Sequence, residues 1–199
     1  MTEQTEQTET QSALATVPSA HRPALSMRER PARGYLNLRG QPEQAAFVEA
    51  VRTVTGLDLP LTPNTMTMGQ SLSAIWLAPN EWLLVTPPDD AVSLQARLRA
   101  AFGNLFATAT EVSSGYATLE IAGSQARALL ARGCSVDLHP RVFGPGDSAQ
   151  TLLAKADVIL AQRDASPRFH VIVRRSMADY LWSWLDDAAR DVGNGASLR

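Results

Sequence analysis

The sequence predicts an α+β fold built from two ferredoxin-like (split βαβ) halves, each a mostly antiparallel sheet with its helices packed on one face. Three observations predict it. Apolar residues make up 45% of the 199 residues, enough for a substantial core. Stretches that alternate with period two are interleaved with stretches of helical periodicity. The order strand–helix–strand–strand–helix occurs twice, as split βαβ units used in tandem require. The second occurrence has room for one further strand.

Residues 1–33 begin MTEQTEQTETQ, and the segment is polar, repetitive and poor in large apolar side chains. A segment of this kind cannot bury enough surface to offset its ordering entropy, so a disordered, dispensable tail is expected there. Leu25 and Met27 are the side chains in it that could dock on a partner.

The first half is placed at residues 34–104. YLNLR at 35–39 alternates as a half-buried strand, and Gly40 ends it. Pro42 suits a first helical turn, where its missing N–H costs nothing. Phe47, Val48, Val51 and Val54 then recur at helical spacing, and Gly56 is placed to end that helix in the left-handed conformation. Residues 57–64 contain two prolines and read as loop. SAIWL at 73–77 and WLLVT at 82–86 flank a Pro-Asn turn, which makes a hairpin. A second helix is expected over 89–102, with Val92, Leu94, Leu98, Ala101 and Phe102 on its apolar face and Gly103 closing it.

The second half is placed at residues 105–192. YATLEI at 116–121 is a strand, and Ser124 is the N-cap of a short helix carrying Ala126, Leu129 and Leu130, which Gly133 stops. A loop over 134–147 leads to strands near 149–154, 158–162 and 169–174. Ser176 opens the last helix, whose apolar stripe reads as Met177, Leu181, Trp184, Leu185 and Ala188. Asp179, three residues after Ser176, resembles the partner in a capping box. Residues 193–199 are expected to be a flexible C-terminus.

Composition excludes several functions. A net charge of −2 is unlike the basic excess of a nucleic-acid binder. No window approaches 18 consecutive apolar residues, so no membrane span is expected, and the N-terminus lacks the form of a secretory signal. The single cysteine, Cys134, cannot make an internal disulfide or a four-thiolate metal site, which fits a reducing cytoplasm.

Cys134, Asp137 and His139 invite a nucleophile–base or metal reading, but the cysteine follows a helix C-terminus, where the dipole opposes a thiolate. They are read as structural. His170 falls inside a strand and is read as a core-edge or surface residue. Gly144-Pro145-Gly146 lacks the lysine and the spacing of a phosphate loop and is read as a turn. Arg174 and Arg175 have the guanidinium forks of a carboxylate or phosphate clamp, yet adjacent strand residues face opposite sides. Trp182 lies roughly 100° from Leu181 and 160° from Trp184 around the last helix, outside its apolar stripe. Trp182, Arg174 and Arg175 are therefore the candidate partner interface. No catalytic, cofactor-binding or metal residue is assigned.

Five stretches carry a family resemblance: LNLRG at 36–40, WLAPNEWLL at 76–84, GCSVDLHPRVF at 133–143, AQTLLAKADVIL at 149–160 and VRRSMADYLWSWL at 173–185. In this order they resemble the gamma subunit of bacterial heterotetrameric sarcosine oxidase. The resemblance implies a fold related to the folate-binding part of the glycine-cleavage aminomethyltransferase. It implies alpha, beta and delta subunits as partners. FAD, NAD, covalent FMN, tetrahydrofolate and zinc are expected on those other chains. The implied reaction converts sarcosine to glycine with O2 and tetrahydrofolate, giving H2O2 and 5,10-methylenetetrahydrofolate. It also implies no catalytic residue in gamma. Asp157 is the nearest candidate for the aspartate of an active folate enzyme, but it sits in a turn context. The alternative reading is a stand-alone folate-binding one-carbon-transfer protein. A folate-dependent iron–sulfur repair protein is a weaker third, since Arg132-Gly133-Cys134-Ser135 matches its signature only loosely.

Overall fold

Alternation along the strands sorts their side chains into three apolar layers. The computed structural model, which describes residues 20–22 and 24–193, stacks two sheets between those layers. Two short strands come first, β1 (Ala20–Arg22) and β2 (Leu25–Glu29). The first unit follows as β3 (Gly34–Arg39), α1 (Ala45–Thr55), β4 (Met66–Met68), β5 (Ser73–Ala78), β6 (Glu81–Thr86), α2 (Ala91–Phe102) and β7 (Thr108–Glu111). The second is β8 (Tyr116–Ala122), α3 (Ala126–Leu130), β9 (Ser148–Leu153), β10 (Ala156–Asp164), β11 (Arg168–Arg174) and α4 (Ala178–Gly193).

The first sheet has the order β4-β5-β6-β3-β7, all antiparallel. Leu36, Leu38, Trp82 and Leu84 point to one face and pack beneath α1 and α2, against Phe47, Val51, Leu94 and Leu98. Phe47 meets the rings of Trp82 and Phe102 at 5.8 and 5.7 Å between centroids. The indole N–H of Trp82 donates to the Pro60 carbonyl at 2.8 Å, so this buried ring leaves no unpaired donor. Gly56 takes φ 70° and donates to the Arg52 carbonyl, ending α1 as its sequence position predicts.

The second sheet has the order β1-β2-β8-β11-β10-β9. Leu119, Ile121, Leu160, Phe169, Val171 and Val173 face α3 and α4. The opposite faces of the two sheets meet through Tyr35, Met66, Ile75, Leu83, Ile159, Ala161 and Ile172. The layers therefore run helices, sheet, sheet, helices. The α+β class and the helices on one face of each sheet are as the sequence predicts.

The N-terminal segment departs from expectation. Leu25 and Met27, 3% and 1% exposed, join the helix-side core, and β2 pairs with β8 in the register Met27↔Ile121. The reason lies in the edges of the two sheets. In the first, β7 flanks β3; in the second, β8 would be an unpaired edge, and the chain supplies β2 from its other end. Two apolar side chains two residues apart suffice when the strand that carries them also completes a ladder. The disordered tail expected through residue 33 thus does not hold for Leu25–Glu29, while residues 1–19 lie outside the described residues. The boundary expected at 104/105 also moves, because β7 belongs to the first sheet. α4 runs to Gly193, and residues 194–199 are outside the described residues.

The halves are joined by a reciprocal contact. Met66 N–H donates to the Gly146 carbonyl and Ser148 N–H to the Asn64 carbonyl, both at 2.8 Å. Asn64 and Gly146 both have positive φ, 62° and 89°, so equivalent kinks start β4 and β9. The Tyr35 hydroxyl and Thr118 Oγ1 make a second polar link between the sheets.

Candidate functional site

On β8, Ala117, Leu119 and Ile121 face the helices, so the period of two turns Thr118 and Glu120 toward the other sheet. On β11 the same rule turns His170 and Ile172 that way. Glu120, 3% exposed, is thereby a carboxylate inside the protein. It is held by its cross-strand neighbours. Arg28 on β2, its partner in register, donates through Nε at 2.8 Å and lies 2.6 Å away through Nη2. Arg30 Nη1 is 3.1 Å from the second oxygen, and His170 Nε2, across the register on β11, is 3.4 Å from it.

Burial pushes the Glu120 carboxyl up, but the Arg28 hydrogen bond and the charges of Arg28 and Arg30 outweigh it and leave the group below the usual carboxylate range. His170 goes the other way for an imidazole. Burial, then the charges of Arg163 and Arg30, lower it to about 4 in spite of Glu120. His170 is therefore neutral at physiological pH, and its contact with Glu120 is a hydrogen bond rather than an ion pair.

Beside this cluster a cavity of about 330 Å³ opens between the sheets. Arg30, Arg33 and Arg163 are among its charged lining residues, and Met66, Ile75 and Ile172 among its apolar ones. Burial and the charges of Arg30 and Arg33 hold the Arg163 guanidinium below its ordinary range. Convergent guanidiniums suit recognition of a planar anion. They offer no nucleophile, and among the described residues no three His, Cys, Asp or Glu side chains converge as a metal would require.

The structure distributes the sequence-derived candidates elsewhere. Trp182 is 6% exposed and packs in the core beneath α4, so it cannot be a surface contact. The stripe that faces the sheet is Ala178, Leu181, Trp182, Leu185 and Ala189, with Met177, Trp184 and Ala188 along its margin. The expected stripe shares Leu181 and Leu185, which set the period but leave the phase open. Trp184 covers Gly133 instead, where a Cβ would come within 2.5 Å of the indole. Arg174 is exposed, with its guanidinium over the Tyr116 ring at 4.6 Å, and Arg175 is half-buried in the turn that precedes α4. They do not form one clamp.

Cys134 is half-buried, with Sγ 4.0 Å from Thr151 Oγ1. Asp137 accepts from the His139 N–H at 2.8 Å, and His139 Nδ1 accepts from the Arg141 N–H at 3.2 Å, so both serve the loop backbone. Asp157 lies in β10, paired with Leu152, rather than in a turn. Sequence reasoning missed Arg28, Arg30, Arg33, Glu120 and Arg163. The first three were hidden in the presumed tail. A glutamate alternating with apolar residues in YATLEI was the available signal, since a strand covered on both faces has no solvent for it.

Comparison with known proteins gives a consistent result. The model of the sarcosine oxidase, gamma subunit family matches residues 39–191. The sarcosine oxidase subunit gamma of Corynebacterium sp. (strain U-96) is 30% identical over 166 residues, 83% of this chain and 79% of that one. Among solved structures, a chain of the heterotetrameric sarcosine oxidase from Corynebacterium sp. U-96, in complex with pyrrole 2-carboxylate, superposes with a TM-score of 0.84. The two chains are 26% identical, and the match covers 95% of this chain and 98% of that one. The glycine cleavage system aminomethyltransferase T from Bartonella henselae matches with a TM-score of 0.63 at 15% identity, covering 82% of this chain and 46% of that one, a likeness of fold alone.

Proposed function

Because the chain belongs to the sarcosine oxidase gamma subunit family, we propose that it works as a non-catalytic subunit of a heterotetrameric sarcosine oxidase, in contact with alpha, beta and delta chains. The observation that carries this is the structural correspondence with a chain of such a complex over 95% of this chain and 98% of that one. The complex oxidises sarcosine to glycine. O2 takes the two electrons and becomes H2O2, and the methyl carbon passes to tetrahydrofolate. FAD, FMN, NAD, zinc and the folate belong to the other chains in this reading. Asp137 and His139 support it, being committed to loop backbone, as do Glu120 and His170, which are held in one cluster with Arg28. No helix among the described residues is long and apolar enough to cross a membrane, and a single cysteine suits a cytoplasmic complex. With Trp182 in the core, Arg174 beside Tyr116 and the neighbouring Arg175 remain the candidate rim contacts.

The test is co-expression of the chain with alpha, beta and delta subunits, followed by purification through a tag on another chain. This chain should co-purify in equal amount, and sarcosine-dependent H2O2 production should fall when it is left out because the complex no longer assembles. Stoichiometric tetrahydrofolate binding by the chain alone, with no co-purification, would refute the proposal in favour of a stand-alone folate protein.

A further inference from the structure

We infer that the cavity between the sheets is a binding site for a small organic carboxylate, with Arg33 and Arg163 gripping the anion, Arg30 behind them, and the carbon skeleton lying against Met66, Ile75 and Ile172. The inference is independent of the role in assembly. Its first ground is charge. Three guanidiniums from two distant stretches of chain converge on one space. The carboxylate beneath them, Glu120, is already shared by Arg28, Arg30 and His170. Among the described residues, no carboxylate is ion-paired with Arg33 or Arg163. Like charges gathered in a half-buried space work against folding, and such arrangements mark sites whose ligand supplies the missing charge.

The second ground is an unmet donor. Arg30 Nε is buried and has no hydrogen-bond partner among the described residues. The third is shape and chemistry. About 330 Å³ is at the lower end of ligand pockets. The same space is lined by guanidiniums and by the apolar side chains of Met66, Ile75 and Ile172, with Ser71, Ser73 and Thr118 among them, which suits an anion with a hydrocarbon body. Inorganic phosphate would satisfy the arginines and leave the apolar side chains wet. A planar carboxylate also matches the guanidinium fork.

The experiment uses the full chain, titrated calorimetrically and melted at low salt with benzoate, glutarate, inorganic phosphate and the neutral isostere benzamide. Benzoate or glutarate should bind saturably, one per chain, and raise the melting temperature. Benzamide and phosphate should bind at least about tenfold more weakly, the scale of one lost charge-assisted contact. Arg163→Gln and, separately, Arg33→Gln should each lower carboxylate affinity at least about tenfold. Because each substitution removes a like charge, the ligand-free melting temperature should be unchanged or higher. Absence of saturable carboxylate binding would overturn the inference. So would phosphate binding as tight as benzoate, or variants that melt earlier yet bind as before. If neither arginine affects carboxylate binding but both weaken co-purification with the other subunits, the cavity receives a partner's acidic side chain and the inference fails.

Discussion

His170 should make this protein lose stability in mild acid, before its carboxylates protonate. Its folded pKa is lowered to about 4 by burial and by Arg163 and Arg30, against an ordinary value near 6.5 in the unfolded chain. The unfolded state therefore takes up a proton between these values and the folded state does not. The stability associated with neutral His170 is fully present above about pH 6.5, declines as pH falls toward 4, and changes no further below that. Linkage over this interval gives a loss of about 2 kcal/mol at pH 5 relative to pH 8, and about 3 kcal/mol at pH 4. Glu120 and Glu81, whose folded carboxyls lie below the usual range, lose their contribution lower, as pH falls through their folded values. The windows are therefore separable. The perturbation is His170→Gln, which can still donate to Glu120 but cannot take up a proton. Urea denaturation at pH 5, 6, 7 and 8 should show the natural chain losing about 2 kcal/mol more than the variant between pH 8 and 5. Parallel pH profiles, or an imidazole that titrates near 6.5 in the folded protein by NMR, would refute the reasoning.

Trp182→Ala should cost about 3–5 kcal/mol in chemical denaturation, because the ring fills the core beneath α4; Trp184→Ala, at the margin, should cost about 1–2 kcal/mol, and the reverse ranking would mean α4 is rotated. Deleting residues 2–30 removes Leu25 and Met27 from the core and should cost about 3–6 kcal/mol before ladder hydrogen bonds are counted, so a truncated chain with an unchanged melting temperature would show that β2 is not integral. Gly123→Ala should destabilise by about 1–3 kcal/mol or more, since Gly123 has φ 113° and a Cβ there would lie 2.3 Å from the Ala24 carbonyl oxygen, and a neutral result in thermal melts would mean that the segment before β2 does not pack as described.

The amino-acid sequence determined the elements whose causes are local. The hairpin at β5 and β6 follows from alternation about a Pro-Asn turn, and the end of α1 from a glycine free to take positive φ. Those signals act within a few residues, where chain connectivity limits the alternatives. The family-bearing stretches were legible for the same reason, being short runs of residue identity. Only the tertiary structure decided which face of α4 is covered, because Leu181 and Leu185 sit in both candidate stripes and the sheet beneath selects Trp182 over Trp184. It also decided that Leu25–Glu29 is a strand: two apolar residues in a polar segment gain from ordering only when the β8 edge is waiting for them. The Glu120 cluster depends on the same pairing, which brings Arg28 across 92 residues and His170 across 50 to one carboxylate. No periodicity within a single segment encodes a contact at that separation; it exists because strand order in the assembled sheet places those side chains opposite one another.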